Sequence, residues 1–140
     1  MYSFQSPFGV IHYDWHEGLC HGLTLHQSDM MHAKHDNPVS AWLSAYFSGT
    51  TQALPALAPA KTNFQRKLRH GLCAIPYGKV KTYGELAKTL STAPRALGQA
   101  LGANPFPIII PCHRVVAAGG LGGFHYGSDW KKSLLNFEQL

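Results

Sequence analysis

The chain has 140 residues, enough for one ordinary domain or two small units. Hydrophobic residues make up 45% of it and charged residues 14%, a globular composition that excludes disorder, collagen and coiled coils. The apolar runs are far too short for a membrane span and the first residues lack the features of a signal peptide, so we expect a cytoplasmic protein. The three cysteines have no zinc-finger or disulfide-framework spacing, so we expect neither a classical zinc finger nor a disulfide framework.

The formal net charge of +5 is unevenly distributed. Residues 1–58 hold one lysine against four acidic residues, whereas residues 59–140 hold eleven lysines and arginines against three acidic residues. A basic segment of this length indicates a polyanionic partner, of which nucleic acid is the commonest, or else a solvated basic surface. The charge alone does not decide between the two.

The acidic part predicts a hairpin followed by a helix. Alternating apolar residues indicate strands over Val10–Trp15 and Leu19–His26, with Leu19, Leu23 and Leu25 on one face. Asn37 as cap and Pro38 in the first turn open a helix that ends at Gly49. Its apolar residues recur at helical spacing and predict a buried stripe of Val39, Trp42, Leu43, Tyr46 and Phe47.

An uncharged stretch rich in alanine and proline, residues 50–60, predicts a linker. Because the basic residues begin just after it, we place a boundary near residue 58. The sequence therefore predicts an α+β protein with an N-terminal α/β subdomain of a β-hairpin and a helix over 1–58. A helical, winged-helix-like domain with a helix-turn-helix follows over 59–140.

Three predicted helices begin the basic part. The first two open with capping-box patterns, Thr62 with Gln65 and Thr82 with Glu85. The third runs from about Ala93 to Ala103 with Pro94 in its first turn. Two short helices joined by a tight turn are a helix-turn-helix candidate, and the small residues of the second would let its backbone approach a sugar-phosphate wall closely. A helix pair is also an ordinary feature of any small helical domain.

The chemistry is concentrated at Cys112. Prolines on both sides of Ile108–Ile110 predict a short extended segment that presents Cys112 rigidly. His113 provides a base, but neighbours on an extended chain point to opposite faces, so we expect a water between His113 and the thiol. Glu138 is the natural acceptor for the imidazole, on a final helix capped by Ser128 and packed by Trp130, Leu134 and Phe137. A buried structural cysteine beside a surface histidine is the alternative.

The stretch IPCHRVV, preceded by NPFPII and followed by GGLGGF and WKKSLLNFE, closely resembles the active-site signature of the O6-alkylguanine-DNA alkyltransferases, the methylated-DNA–protein-cysteine methyltransferases. The resemblance extends back through PYGKVKTYGELA and PRALGQALGANP and covers roughly residues 62–138. The N-terminal part is similar to the family only in style, with a hairpin beginning SPFG and a helix ending YFSG. The resemblance implies a monomer that flips O6-alkylguanine, chiefly O6-methylguanine, out of duplex DNA and takes up the alkyl group irreversibly. The reaction that it implies needs neither a metal ion nor a cofactor.

The resemblance also implies roles for individual residues. Cys112 is similar to the alkyl acceptor, His113 to the water-linked base and Glu138 to the acid that orients it. Asn104 resembles the hinge residue before the cysteine loop, and Tyr83 the tyrosine that crowds the target phosphate and donates to the base. The residues expected on DNA are Arg95, as a finger that enters the base stack, with Tyr83, Ala96, Gln99 and Arg114. The expected substrate pocket consists of Leu101, Val115, Phe124, His125 and Tyr126.

Other functions are also compatible with parts of this pattern. A non-catalytic protein that binds alkyl lesions would keep the pocket and replace the cysteine. A helix-turn-helix regulator would explain the basic part and leave the PCHR stretch unexplained. A thiol hydrolase would use a cysteine and a histidine for multiple turnover.

In the pocket, Phe124 stands where the family often has a tyrosine, so the ring is kept and the hydroxyl is lost.

Overall fold

The computed structural model describes residues 2–26, 37–50 and 52–139. The chain divides into two compact units, Met1–Pro59 and Ala60–Leu140, a division one residue beyond the boundary expected near 58. The predicted α+β class is confirmed. Within the described ranges, no helix is long and apolar enough to cross a bilayer.

Unit 1 contains a three-stranded antiparallel sheet of β1 (Tyr2–Ser6), β2 (Gly9–His16) and β3 (Leu19–Thr24), in that order. The predicted β2–β3 hairpin is confirmed, whereas β1 was not predicted. A register shift between Asp14 and Trp15 interrupts the regular alternation of inward and outward side chains in the hairpin. The expectation for Leu19 was therefore wrong: Leu19 is half-buried, and Cys20 is fully buried with Leu23 and Leu25.

The helix of unit 1, α1 (Pro38–Phe47), begins as predicted, because the Asn37 side chain accepts a hydrogen bond from the Val39 N–H. Of the predicted stripe, Val39, Leu43 and Tyr46 are buried as expected, whereas Trp42 and Phe47 are half-buried. Part of the predicted linker is bonded to β3: the Cys20 N–H donates to the Ala56 carbonyl at 2.9 Å, and the Ala58 N–H to the Cys20 carbonyl at 2.8 Å. Thr51, near the start of that linker, lies outside the described residues.

Unit 2 holds four helices, two short strands and one 3₁₀ turn within its described residues. They are α2 (Asn63–Cys73), β4 (Lys81–Thr82), α3 (Tyr83–Thr89), α4 (Pro94–Gly102), the 3₁₀ turn Cys112–Arg114, β5 (Val115–Val116) and α5 (Ser128–Glu138). The strands β4 and β5 pair in parallel, with Lys81 opposite Val115. This pairing places the start of α3 beside the segment that directly follows Cys112.

Capping explains where the helices of unit 2 begin. At α3 both bonds of the predicted capping box are present between Thr82 and Glu85. At α2 only the Thr62 hydroxyl caps as predicted, because the Gln65 side chain instead donates to the Ala100 carbonyl of α4 at 3.4 Å. The cap of α5 is Gly127, with φ 100°, and the prediction of Ser128 is wrong by one residue.

The segment before Cys112 is buried as expected, but it is not extended. The Ile110 N–H donates to the Phe106 carbonyl at 2.8 Å, which closes a turn, and Ile108 has φ 73°. A β-branched residue rarely occupies this left-handed region, because its side chain clashes with its own backbone. Cys112 itself lies in the 3₁₀ turn, so the argument from strand alternation about His113 does not apply.

Candidate active site

A cavity of about 480 Å³ opens on unit 2 next to Cys112. Its wall combines the start of α3, one face of α4, the cysteine turn and the loop before α5. The lining residues are Tyr83, Pro94, Gly98, Leu101, Gly102, Asn104, Cys112, Gly123, Phe124, His125 and Tyr126. Four residues that the resemblance implied for the pocket, Leu101, Phe124, His125 and Tyr126, are thus brought together.

Cys112 is buried, with 8% of its surface exposed, and it lies in the cavity wall. Burial raises the pKa of the Cys112 thiol, although a hydrogen bond from the Asn104 side chain, nearby backbone N–H groups and the charge of Lys131 act in the opposite direction. The Asn104 side chain is itself held, donating to the Ile110 carbonyl at 3.0 Å and accepting from the Phe106 N–H at 3.1 Å. The resting thiol is therefore protonated and surrounded by groups that favour the thiolate.

His113 is fully buried and its Nε2 lies 2.6 Å from Oε2 of Glu138. The carboxylate accepts four hydrogen bonds, from His113 Nε2, from Nε and Nη2 of Arg114, and from the Gly78 N–H. Because a carboxylate has about four acceptor positions, no place remains for a proton of its own, and the shared proton belongs to Nε2. The His113 imidazole therefore presents its acceptor at Nδ1.

The environment of His113 favours the neutral imidazole. Burial lowers the pKa of His113, and the charges of Arg114 and Lys131 act in the same direction, against the raising effect of Glu138. Within the described part of the chain, Nδ1 is buried without a hydrogen-bond partner. His113 is thus not the surface histidine of the alternative interpretation.

Arg114 is not available at the surface, and the expectation that it contacts DNA is wrong. Its side chain is 10% exposed and forms a bidentate ion pair with Glu138, at 2.8 Å from Nε and 3.1 Å from Nη2. Its Nη1 donates to the Ile75 carbonyl at 2.8 Å. The guanidinium also lies 5.7 Å from the ring centroid of Tyr77.

Lys131 is a site residue that the sequence analysis missed. It is fully buried on α5, and its Nζ donates to the carbonyls of Val115 at 2.6 Å and Gly123 at 2.9 Å. A third, longer bond of 3.5 Å reaches the Tyr83 hydroxyl. A lysine in an otherwise amphipathic helix is normally solvated, and only its alignment with Leu134 and Glu138 on one face signalled burial.

Val115 does not line the cavity, contrary to the expectation. It is fully buried, and its carbonyl is an acceptor for Lys131. The loop before α5 is fixed to Tyr83 as well, since the Tyr83 hydroxyl donates to the Gly123 carbonyl at 3.2 Å. The Nζ of Lys131 thus bonds to three elements, which are β5, the glycine-rich loop between β5 and α5, and α3.

Of the other residues expected on DNA, Tyr83 lies on α3 in the cavity wall, and the remaining three lie on the exposed side of α4. Arg95, Ala96 and Gln99 are exposed, whereas Leu97 and Ala100 face the core. Among the described residues, no group of three histidine, cysteine or acidic side chains is arranged to hold a metal ion. The geometry supports nucleophilic chemistry at a cysteine that lines a cavity and is followed by a histidine held by an ionised carboxylate.

Residues 63–140 match the protein family described as 6-O-methylguanine DNA methyltransferase, DNA binding domain. The methylated-DNA–protein-cysteine methyltransferase of Sulfolobus acidocaldarius is 54% identical over 76 residues, 54% of this chain and 49% of that protein. The protein of the same name from Archaeoglobus fulgidus is 40% identical over 111 residues, 74% of this chain and 75% of that protein. The chain spans about half the length of the first of these curated relatives.

Solved structures give the same result across the whole chain. The OGT of Mycobacterium tuberculosis, solved in complex with DNA, superposes with a TM-score of 0.84 at 33% identity. That comparison covers 99% of this chain and 92% of the other.

Proposed function

The chain belongs to the 6-O-methylguanine DNA methyltransferase family, and from this premise we propose that it repairs alkylated DNA by transferring the alkyl group of O6-alkylguanine, chiefly O6-methylguanine, to Cys112. The observation that carries the proposal is the order of contacts at the site. Cys112 lines a cavity, and the next residue is an imidazole whose far nitrogen is bonded to a buried carboxylate. A non-catalytic lesion-binding protein has no use for this arrangement.

The substrate base has to leave the duplex before it can react. O6 of guanine lies inside the base pair, out of reach of a buried thiol, so the nucleotide is extruded into the cavity. Alkylation weakens pairing with cytosine and lowers the cost of this step. A volume of about 480 Å³ lies within the range of pockets that enclose small ligands, ~300–1,000 Å³.

The thiol is activated only when the substrate is in place. Because burial raises the pKa of Cys112, the proton leaves during the attack, through a water molecule to Nδ1 of His113. The developing thiolate is stabilised by the Asn104 amide and by the charge of Lys131.

In the transfer itself, Sγ of Cys112 forms a bond to the O6 carbon as the bond from carbon to O6 breaks. The electron pair remains on the guanine, which takes up one proton to balance the one that the Cys112 thiol loses. We assign the Tyr83 hydroxyl to donation toward the base, which requires it to turn away from the Gly123 carbonyl. The product is a thioether, which none of the site residues is equipped to cleave. Each protein molecule therefore repairs one lesion, without a cofactor.

Helix α4 is the element that we place against DNA. Its exposed face carries Arg95, Ala96 and Gln99, small or flexible enough for the backbone to lie in the minor groove. We assign to Arg95 the position left by the flipped nucleotide, and to Asn104 the hinge that follows the helix. The monomeric state and the cytoplasmic location expected from the sequence remain predictions.

Transfer of a labelled methyl group tests the proposal. A duplex with one labelled O6-methylguanine should label the wild-type protein, and the Cys112→Ser variant should remain unlabelled while it still binds the duplex. A Cys73→Ser variant is the matched control, because Cys73 is exposed on α2, and it should be labelled like the wild type. Label on the Cys112→Ser protein would refute the assignment.

A further inference from the structure

The proposed reaction requires a neutral His113 imidazole, and the ion pair of Arg114 with Glu138 favours this neutral form. The Glu138 carboxylate alone would favour the imidazolium. A buried carboxylate at 2.6 Å from an imidazole favours the imidazolium, because the positive charge is stabilised by the negative one. A protonated His113 would have no lone pair at Nδ1 and would not accept the Cys112 proton. A positive charge that compensates the Glu138 carboxylate is therefore needed to keep the imidazole neutral.

Arg114 supplies this influence in the geometry of its bonds. Its Nε and Nη2 occupy one acceptor position on each oxygen of Glu138, beside His113 Nε2 on Oε2 and the Gly78 N–H on Oε1. The guanidinium compensates the carboxylate charge, so His113 faces a neutral ion pair rather than a free anion. Of the other charged groups near His113, Lys131 on α5 also disfavours a second positive charge.

The surroundings hold Arg114 in this position. The Ile75 carbonyl, two residues after the end of α2, accepts from Nη1 at 2.8 Å, and the guanidinium lies 5.7 Å from the centroid of the Tyr77 ring. Gly78 has φ 79°, and a Cβ there would lie 3.2 Å from the Glu138 backbone oxygen, so the turn after α2 fits closely against the end of α5. The guanidinium is thus fixed by its own contacts on one side and by the carboxylate on the other.

We propose that Arg114 is a positioning residue of the alkyl transfer, which holds the Glu138 carboxylate on His113 Nε2 and at the same time keeps the imidazole neutral, so that Nδ1 accepts the proton of Cys112. The proposal rests on the proposed function for its effect on rate. Its statement about His113 concerns the unreacted protein and is measured without any transfer.

The protonation state of His113 is the first test. Nitrogen NMR of labelled wild-type protein distinguishes a neutral imidazole with the proton on Nε2 from an imidazolium with protons on both nitrogens. We expect the neutral form at pH 7, and an imidazolium at pH 7 would overturn the proposal. This result is independent of the function: a neutral His113 in a protein that takes up no methyl group would refute the alkyl transfer and leave the assignment of Arg114 to the imidazole intact.

Two variants then separate charge from shape. Arg114→Met keeps the length of the side chain and removes its charge, whereas Arg114→Lys keeps the charge and loses the bidentate fork. For Arg114→Met we expect the rate of methyl transfer to fall at least about tenfold near pH 6 and to recover as the pH rises, because His113 then retains its proton to higher pH. For Arg114→Lys we expect a lower rate with the pH dependence of the wild type.

A purely structural role for Arg114 would give a different result. Arg114→Met would then lower the rate by the same factor at every pH, and the NMR signals of His113 would remain those of a neutral imidazole; either finding contradicts the proposal. Thermal unfolding of both variants identifies any that does not fold. If Arg114→Met does not fold, the wild-type NMR measurement and the pH profile of Arg114→Lys still decide. A profile of Arg114→Lys that is displaced from that of the wild type would contradict the proposal, because this variant keeps the positive charge.

Discussion

At the scale of single residues, the reactivity of Cys112 depends on what surrounds the thiol when the substrate base is bound. Burial keeps the proton on sulfur, while Asn104 and Lys131 are placed to stabilise the negative charge once it forms. Such a thiol reacts with a bound substrate base in preference to a small electrophile from solution. The small electrophile finds a protonated thiol and is not aligned with the base that would remove the proton.

This difference between the cysteines is measurable with a general thiol reagent. Iodoacetamide at pH 7 should modify the exposed Cys73 first and Cys112 second. Cys20 should react last, because burial raises the pKa of its thiol to about 11. Peptide mapping after short reaction times gives the order, and unfolded protein, in which all three should react alike, is the control. Faster modification of Cys112 than of Cys73 would show that the resting site already holds a thiolate.

Residue patterns in the sequence were sufficient for part of this site. Glu138 was placed near His113 because few acids were available and the final helix could return one. Lys131 was missed because a lysine beside another lysine in a short helix is normally solvated. The assignment of Arg114 to DNA was wrong for a related reason. The sequence shows that Arg114 is charged, but it does not show that the side chain forms an ion pair with the buried Glu138.

At the scale of elements, the glycine loop between β5 and α5 is as important as the helices. Gly122 has φ 77°, and a Cβ on it would lie 2.7 Å from Cε2 and 2.8 Å from the hydroxyl of Tyr83. Both the backbone conformation and the contact require glycine there. The loop therefore fixes where the Tyr83 ring enters the cavity.

Replacing Gly122 by alanine should displace Tyr83 and strain the loop. We expect a loss of about 1–3 kcal/mol in the free energy of unfolding and a slower methyl transfer, because the residue is forced into a conformation that alanine rarely adopts. Gly119→Ala is the matched control, since a Cβ at Gly119 meets no atom within 4 Å. Denaturant titration and single-turnover rates of both variants measure the effect, and equal behaviour would show that the loop adapts freely.

Helix α4 allows a test of how the flipped base is replaced. Arg95→Ala should slow repair of a duplex by about 5- to 150-fold, if insertion into the stack is worth what side-chain stacking on bases usually is, about 1–3 kcal/mol. Attack on the free O6-methylguanine base should change little, because no gap has to be filled. Parallel single-turnover measurements on the two substrates decide, and an equal loss on both would exclude the finger role.

The elements were predictable where local capping determined them and unpredictable where distant pairing did. Helices α1 and α3 begin at their predicted caps. Strands β4 and β5 have two residues each and exist only because they pair with one another across the unit, which no local pattern reveals. The run Ile108–Ile110 indicated a strand, yet the flanking prolines and the packing around Phe106 fold it into turns.

At the scale of the whole molecule, the basic charge lies mainly in unit 2, and burial changes what it is available for. Two of the eleven basic residues in 59–140, Arg114 and Lys131, are buried in the site. Helix α4 itself carries Arg95 as its single basic residue. In the proposed complex with DNA, the contacts with phosphates therefore have to come mainly from basic residues outside this helix.

Binding to unmodified DNA should accordingly depend steeply on salt and weakly on sequence. With about six phosphate contacts, affinity falls about 10³-fold between about 50 mM and about 200 mM salt. The minor groove distinguishes little beyond A·T from G·C pairs, so duplexes of different sequence should bind alike. Titrations of several duplexes across salt concentrations measure both properties, and a strong preference for one sequence with a shallow salt slope would indicate a regulator instead.

The buried, neutral His113 also predicts how the stability of the protein responds to acid. Because burial lowers its pKa in the folded state, the unfolded chain binds the proton first as the pH falls below the ordinary value of 6.5. The free energy of unfolding should therefore decrease as the pH falls through that value. Denaturant titrations between pH 7 and pH 5 should show a weaker dependence for His113→Gln than for His70→Gln, whose residue is exposed. The same dependence in both variants would contradict a neutral, buried His113.

The most direct measurement of the central claim is the intact mass of the protein after incubation with an excess of duplex DNA containing O6-methylguanine. The account predicts a gain of one methyl group in place of one hydrogen, located on Cys112 by peptide mapping, with no further gain however long the incubation continues. Repair of many lesions by each molecule, or a methyl group on any other residue, would contradict it.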